Sequence, residues 1–267
     1  FERKGMKYIS IASGSKGNCH LVQKKDNCIL IDAGLSGKAT IDAINMHDID
    51  TSKIRAIFIT HEHSDHIKGA GIISRKFDIP IYATELTWDA MSNKIGNIKD
   101  EHIKIIENAD KVCIGDLEIS SIPVKHDAAD PVAYKVTDGK RILSIITDLG
   151  VVTKKVFDFV KKSNAIVLES NHDISMLEAG PYSYELKRRI KSNFGHLSND
   201  SAGSVGVDLV KCGVSNIMLA HLSEQNNMPI LAYQSVLSIL SEQDIKVGAD
   251  VELCVLQQNS VSKKIAI

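Results

Sequence analysis

Apolar and polar positions follow two rhythms along this chain. Short, nearly continuous apolar runs predict strands buried on both faces. They occur at Met6 to Ala12, Cys19 to Gln23, Cys28 to Asp32, Ile54 to Ile59, Ile81 to Ala83, Ala165 to Leu168 and Asn216 to Ala220. Stretches with helical spacing lie between them: Ser36 to His47 with Ser36 as N-cap, the run after Gly69 to about Phe77, and Glu85 to Ile95. Further on come Val151 to Lys162, Tyr182 to Ser192, a helix capped by Ser198 or Asn199 that runs to about Cys212, and Pro229 to about Ser241. From His102 to Val124 the period shortens to two, with turns at Ala109-Asp110 and Gly115-Asp116, which predicts a meander. Val132 to Val136 and Arg141 to Ile146 form a hairpin across Asp138-Gly139, and strands near Val251 to Leu256 and Val261 to Ile267 close the chain.

The strand-and-helix organisation occurs twice, before and after about residue 115. Two half-units facing each other in one domain over residues 6–267 account for that repeat, with Phe1 to Gly5 read as an addition ahead of a natural start at Met6. At 267 residues, 43% hydrophobic and 24% charged, the composition is that of a globular protein. A formal net charge of −1 neither advertises nor excludes nucleic-acid binding, which would need a local basic face. The five cysteines form no CxxC pair and point to reduced thiols in a cytoplasmic setting. No apolar stretch approaches the roughly 18 residues of a membrane span, and Trp88 reads as core.

The candidate chemistry sits where strands end. The run Ile54 to Ile59 leads into His61-Glu62-His63-Ser64-Asp65-His66, and alternation along a strand end puts His61 and His63 on one side. Imidazole and carboxylate together suit Zn, Mn or Fe, and no nearby thiolate argues for a structural zinc site. Four further apolar strands end in the same kind of residue: His126-Asp127, Asp148, Glu169-Ser170-Asn171-His172 and His221. A single histidine after a strand is ordinarily a hydrogen-bonded rim residue; the recurrence converges on one site, since ligands collect at strand carboxyl ends in layered α/β folds. The turn Ser13-Gly14-Ser15-Lys16-Gly17-Asn18 has a composition able to hold an anion, and a plain hairpin explains it equally.

His61-x-His63-x-Asp65-His66, followed in order by His126, Asp148 and His221, resembles the metallo-β-lactamase superfamily. That resemblance implies an αββα sandwich, two mixed β-sheets flanked by helices. It also implies two divalent metal ions, with His61, His63 and His126 on one, Asp65, His66 and His221 on the other, and Asp148 bridging. Five shorter motifs narrow the likeness: Ser13 to Asn18, Thr147-Asp148-Leu149-Gly150, Glu169 to Asp173, Gly195-His196-Leu197-Ser198-Asn199 and Leu219 to Ser223. Together they resemble the bacterial YycJ/WalJ group of 5′-to-3′ DNA exonucleases. Gly195-His196 is also similar to the Gly-His-Ser/Thr motif of tRNase Z enzymes, in which the histidine works with a glutamate placed as Glu169 is here.

The resemblance implies a phosphodiesterase in which a hydroxide held between the metals attacks the scissile phosphate. Asp65 would orient that hydroxide, His196 would protonate the leaving 3′ oxygen, and Glu169 would orient His196. Substrate contacts are expected from Ser13, Ser15, Asn18, Asn171, His172, Ser198 and Asn199, with His172 also a weaker candidate for metal ligand. The basic run Lys187-Arg188-Arg189-Ile190-Lys191 leads directly into Gly195-His196 and would hold a phosphate backbone, or is an ordinary solvated helix face. A small-molecule hydrolase on the same fold (a lactonase, thioesterase or cyclic phosphodiester hydrolase) is the alternative. A non-enzymatic metal-binding protein is the third reading, and the completeness of the ligand set argues against it.

Overall fold

The computed structural model describes residues 5–47, 49–107, 110–258 and 260–267. Two seven-stranded sheets form the protein. The first carries β1 (Lys7–Ala12), β2 (Cys19–Lys24), β3 (Asn27–Ile31), β4 (Ile54–Phe58), β5 (Ile81–Ala83) and β6 (Ile103–Ile105) in sequential order. The second carries β7 (Lys111–Ile114), β8 (Leu117–Pro123), β9 (Val132–Thr137), β10 (Ile142–Ile146), β11 (Ala165–Glu169), β12 (Asn216–Ala220) and β13 (Glu252–Val255), also in sequential order. A last strand, β14 (Ile265–Ala266), returns to pair with β1. Each sheet begins with an antiparallel meander and continues in parallel strands, so the repeat expected from the sequence is real.

The layers are helix, sheet, sheet, helix. Although β4 reads as one apolar run, its side chains sort to two faces: Ala56 and Phe58 enter the core between the sheets and Ile57 faces outward under helices, as does Ile54, which lies ahead of a register shift against β3. Those helices are α1 (Gly37–Met46), the single turn α2 (Ser64–Ile67), α3 (Ala70–Phe77) and α4 (Glu85–Ile95). Across the molecule, α5 (Lys154–Val160), α8 (Asn199–Lys211) and α9 (Pro229–Ser241) cover the second sheet, while α6 (Ile174–Ala179) and the short α7 (Tyr184–Ile190) sit at its rim. Tyr134 joins the sheets, its hydroxyl donating to the Ile59 carbonyl at 2.8 Å. Trp88 is core, its indole N–H donating to the Lys104 carbonyl at 3.1 Å.

Several boundaries differ from the sequence reading, each for a local reason. β6 pairs parallel with β5, so the meander starts only at β7; three exposed residues carry no period that says which sheet they join. Asp110 is described, but Ala109 of the expected turn lies outside the described residues, as do Phe1 to Lys4. Thr153 caps α5 through the Val156 N–H and Ser183 caps α7 through the Leu186 N–H, shortening both helices. Asp173 caps the unforeseen α6 through the Met176 N–H. Only Ile265 and Ala266 of the last expected strand pair with a neighbour. Ser198, rather than Asn199, caps α8.

One close approach fixes the turn after β3 against the histidine loop. A Cβ on Gly34 would lie 1.5 Å from the Asp65 carbonyl oxygen, and the Asn18 N–H donates to that same oxygen at 2.8 Å. Gly34→Ala is therefore expected to cost about 1–3 kcal/mol or more by forced overpacking. Urea unfolding of the purified variant checks this; an unchanged midpoint would contradict the packing described.

Candidate metal centre

The site grows from the carboxyl ends of β3, β4, β10, β11 and β12 and from the loop after β8. Asp32, Asp148 and His221 leave their strands with φ of 60°, 58° and 55°. Left-handed backbone is costly for residues other than glycine, and its recurrence at three strand ends of one site reflects a geometry imposed by the surrounding fold.

Histidine orientation is set by what holds each Nδ1. Asp32 is buried and receives three donors: the Thr60 N–H at 2.8 Å, the Thr60 hydroxyl at 2.9 Å and His66 Nδ1 at 2.8 Å. With the Thr60 hydroxyl donating to Asp32, its oxygen is free to accept from His61 Nδ1, 3.0 Å away. His126 Nδ1 donates to the Gly195 carbonyl at 3.1 Å. Buried Glu169 takes His196 Nδ1 at 2.7 Å and His221 Nδ1 at 2.9 Å on one oxygen. Its other oxygen accepts the N–H groups of Leu149 at 3.0 Å and Leu197 at 3.3 Å. A proton fixed on Nδ1 leaves Nε2 with its lone pair available for a metal. His63 differs: its Nδ1 faces His61 Nε2 at 3.0 Å.

The atoms so exposed converge. One set joins His61, His63 and His126; another joins Asp65, His66 and His221, each with ligand atoms within 4.8 Å of one another. Asp148 stands between, with one oxygen 3.4 Å from His66 Nε2 and the other 3.9 Å from His126 Nε2. His126 Nε2, His221 Nε2 and Asp148 Oδ2 are buried and make no hydrogen bond. Buried polar atoms without partners are costly, and three of them at one point fit cation binding. Electrostatics agree. Burial lowers the pKa of His61, and neighbouring His66 and His126 lower it further, which suits a neutral ligand. Burial works against protonated His221 as well, yet Asp148, Asp65 and Glu169 outweigh it and lift its pKa to about 10. His66 is likewise raised against burial by Asp148, Asp32 and Asp65. The carboxylates thus call for positive charge where cations would sit. The residues present fit divalent metal ions.

The substrate candidates divide. Ser15 and Asn171 line a cleft of about 170 Å³ beside His196. The others lie beneath the surface, and all but His172, whose Nδ1 is buried without a partner, have polar groups already used. Ser13 Oγ accepts the His221 N–H at 2.9 Å. The Asn18 amide donates to the Gly14 carbonyl at 3.1 Å and to Asp65 at 3.2 Å. Ser198 caps α8, accepting the Ser201 N–H at 3.1 Å. Asn199 is buried between Ser170 and Asn227. His172 is buried outside every candidate metal set, and burial lowers its pKa to about 4. In the turn at 13–18 the N–H groups of Ser13, Gly14, Gly17 and Asn18 bond to Gln257, Asn18, Gly14 and Asp65 respectively, so none of these four is left for an anion. Asp32 and Thr60 went unassigned in the sequence, although Asp32 shares the strand-end position of the other acids.

A family model described as a Beta-lactamase superfamily domain matches residues 27–209. The chain is 43% identical over 249 residues to Exodeoxyribonuclease YycJ of Bacillus anthracis, covering 93% of this chain and 94% of that protein. It belongs to the metallo-β-lactamase superfamily, in the YycJ/WalJ group. Exodeoxyribonuclease WalJ of Streptococcus pneumoniae is 36% identical over 248 residues, covering 92% of each. Among solved structures, the metallo-β-lactamase fold protein YhfI of Bacillus subtilis superposes with a TM-score of 0.73 at 17% identity, over 98% of this chain and 100% of that one. The superfamily's αββα sandwich is the fold found here. Among the described residues, no helix is long and apolar enough to cross a membrane.

Asp32 touches none of the candidate ligand atoms except through His66 and Thr60. Asp32→Asn should leave every ligand in place yet weaken metal binding about 10- to 100-fold, the usual effect of removing such an orienting partner. Competition with a chelator measures it; unchanged affinity in a folded variant would remove the role.

Proposed function

We propose that this protein is a divalent-metal-dependent DNA exonuclease acting 5′ to 3′, with two ions, Zn or Mn, in the paired ligand sets. The observation that carries the reading is the Glu169–His196 pair set against the metal ligands. The His196 ring centroid is 5.0 Å from that of His126 and 5.3 Å from that of His221. Its side chain keeps 19% exposure and borders the cleft, while Glu169 is fully buried. The exodeoxyribonuclease names of the two relatives support the same reaction class.

When bound, two such ions would acidify a shared water and neutralise charge on a phosphodiester. His61, His63 and His126 would hold one ion and Asp65, His66 and His221 the other, with Asp148 lying between the two sets. Asp65 has a 22% exposed side chain against 3% for Asp148, so it is the ligand carboxylate that meets incoming water and orients it. His196 has Nδ1 tied to Glu169, which leaves Nε2 to deliver a proton to the leaving 3′ oxygen. The Glu169 carboxylate fixes the ring and stabilises its charge while Nε2 carries that proton.

The basic helix contributes on two sides. Arg189 is ion-paired with Asp127 and lines the cleft. Tyr184, Lys187, Arg188 and Lys191 line a wider groove of about 640 Å³ on the other side of α7, where a polyanion can be held. A small-molecule hydrolase is the second reading, and the modest size of the 170 Å³ cleft favours it; the arginine, serine and asparagine in its wall favour a phosphate-bearing ligand instead.

His196→Ala should lower kcat by about 10²- to 10⁴-fold with metal content unchanged. The assay is a panel of end-labelled single- and double-stranded DNA and RNA, a lactone and a thioester, run with Mn- and Zn-loaded protein. Turnover of only the lactone or thioester would reverse the assignment, and near-normal nuclease activity in the variant would remove the role of His196.

A further inference from the structure

The cleft beside His196 has a construction that the metal centre does not explain. Tyr182, Leu186 and Ile190 give its lining an apolar part, Ser15, Asn171 and Ser223 a neutral polar part, and the Arg189–Asp127 ion pair a charged one. At about 170 Å³ it is well below the roughly 300–1,000 Å³ of pockets for drug-sized ligands, which limits its occupant to a group on the scale of one nucleoside. It is also built in fixed register with His196. The His196 N–H donates to the Ile190 carbonyl at 2.9 Å. A Cβ on Gly195 would lie 2.1 Å from that carbonyl oxygen, so only glycine lets the helix end and the histidine turn meet. Asn171 is held by its amide on the His221 carbonyl at 2.9 Å. On the serine side, the Lys16–Glu224 ion pair, at 2.6 Å, ties the loop of Ser15 to the loop of Ser223.

We propose that this cleft receives the 5′-terminal nucleoside of the DNA strand, stacking its base on Tyr182, and that its small volume restricts hydrolysis to one nucleotide at a time. The inference rests on the nuclease reading and adds to it the residues that make the enzyme act from an end. The chemistry fits the placement. Attack by water on phosphorus breaks the P–O3′ bond, the oxygen of water stays on the phosphate of the shortened strand, and the proton from His196 goes to the departing 3′ oxygen. That oxygen belongs to the terminal nucleotide, so the residue beside His196 must be the one released. An aromatic ring accepts any base, because every base has a π-face, which suits an enzyme that degrades without regard to sequence.

The test uses metal-loaded protein and single-stranded oligonucleotides that are intact, abasic at the 5′-terminal position, or abasic at the second position. Release of the first nucleotide is followed as kcat/KM. Wild type should release mononucleotides and lose about tenfold on the terminal abasic strand, the scale of one base-aromatic stack, with little loss when the second position is abasic. Tyr182→Ala should lose a similar factor on the intact strand and nothing further on the terminal abasic strand. Tyr182→Phe should restore the intact rate, and metal content should not change in either variant. Indifference of wild type to the terminal abasic site, losses that multiply in Tyr182→Ala, or longer fragments as first products would overturn the pocket. Absence of cleavage of every DNA by wild type would overturn the nuclease reading itself, an outcome the variants cannot mimic.

Discussion

Two carboxylates with no access to water, Asp32 at the end of β3 and Glu169 at the end of β11, orient the site from opposite sheets. Asp32 gathers Thr60 and His66, and through the Thr60 hydroxyl it also sets His61. Glu169 gathers His196 and His221 together with two backbone N–H groups. Burying a carboxylate is expensive unless donors surround it. Burial raises the Asp32 pKa, and the His66 and Thr60 contacts only partly offset it. At Glu169 the balance goes the other way: burial raises the pKa, but His196 and His221 more than reverse it. Each carboxylate is satisfied only while its histidines present Nδ1 to it, so electrostatic necessity at the back of each ring turns Nε2 toward the centre.

This arrangement divides the labour between fold and chemistry. The strands and the core between the sheets hold the anchors; the anchors hold the rings; the rings would hold the ions. Glu169 holds two rings at once, because the oxygen that fixes His221 of a candidate ligand set also fixes His196, the proposed proton donor. One atom thereby keeps a candidate metal ligand and the proposed proton donor in register. The cost appears in the backbone, where Asp32, Asp148 and His221 all take left-handed φ, and in buried polar atoms on His126, His221 and Asp148 that make no hydrogen bond.

Most residues of the candidate ligand sets were legible in the sequence because histidines and acids at the ends of apolar strands are chemically conspicuous, and strand ends share one edge of a layered fold. The αββα architecture followed from the same pattern together with the family resemblance. What was not legible is tertiary in origin. Period two tells which face a residue takes and nothing about which sheet its strand joins, so β6 was placed in the wrong meander. Asn18 and Asn199 have the composition of groove residues, yet both are enclosed and committed to Asp65 and Asn227. Conversely, Leu186 and Tyr182 look unremarkable in a basic segment and become cleft walls only when α7 meets the Gly195 turn.

The central claim is that anchored Nδ1 atoms build a site for two ions through Nε2. Anomalous diffraction from Mn- or Zn-loaded crystals tests it directly. The account predicts two peaks per chain, one among Nε2 of His61 and His126 with His63, the other among Asp65 and Nε2 of His66 and His221, with Asp148 touching both. A single peak, or ions bound through Nδ1 with the Asp32, Gly195 and Glu169 hydrogen bonds broken, would contradict it.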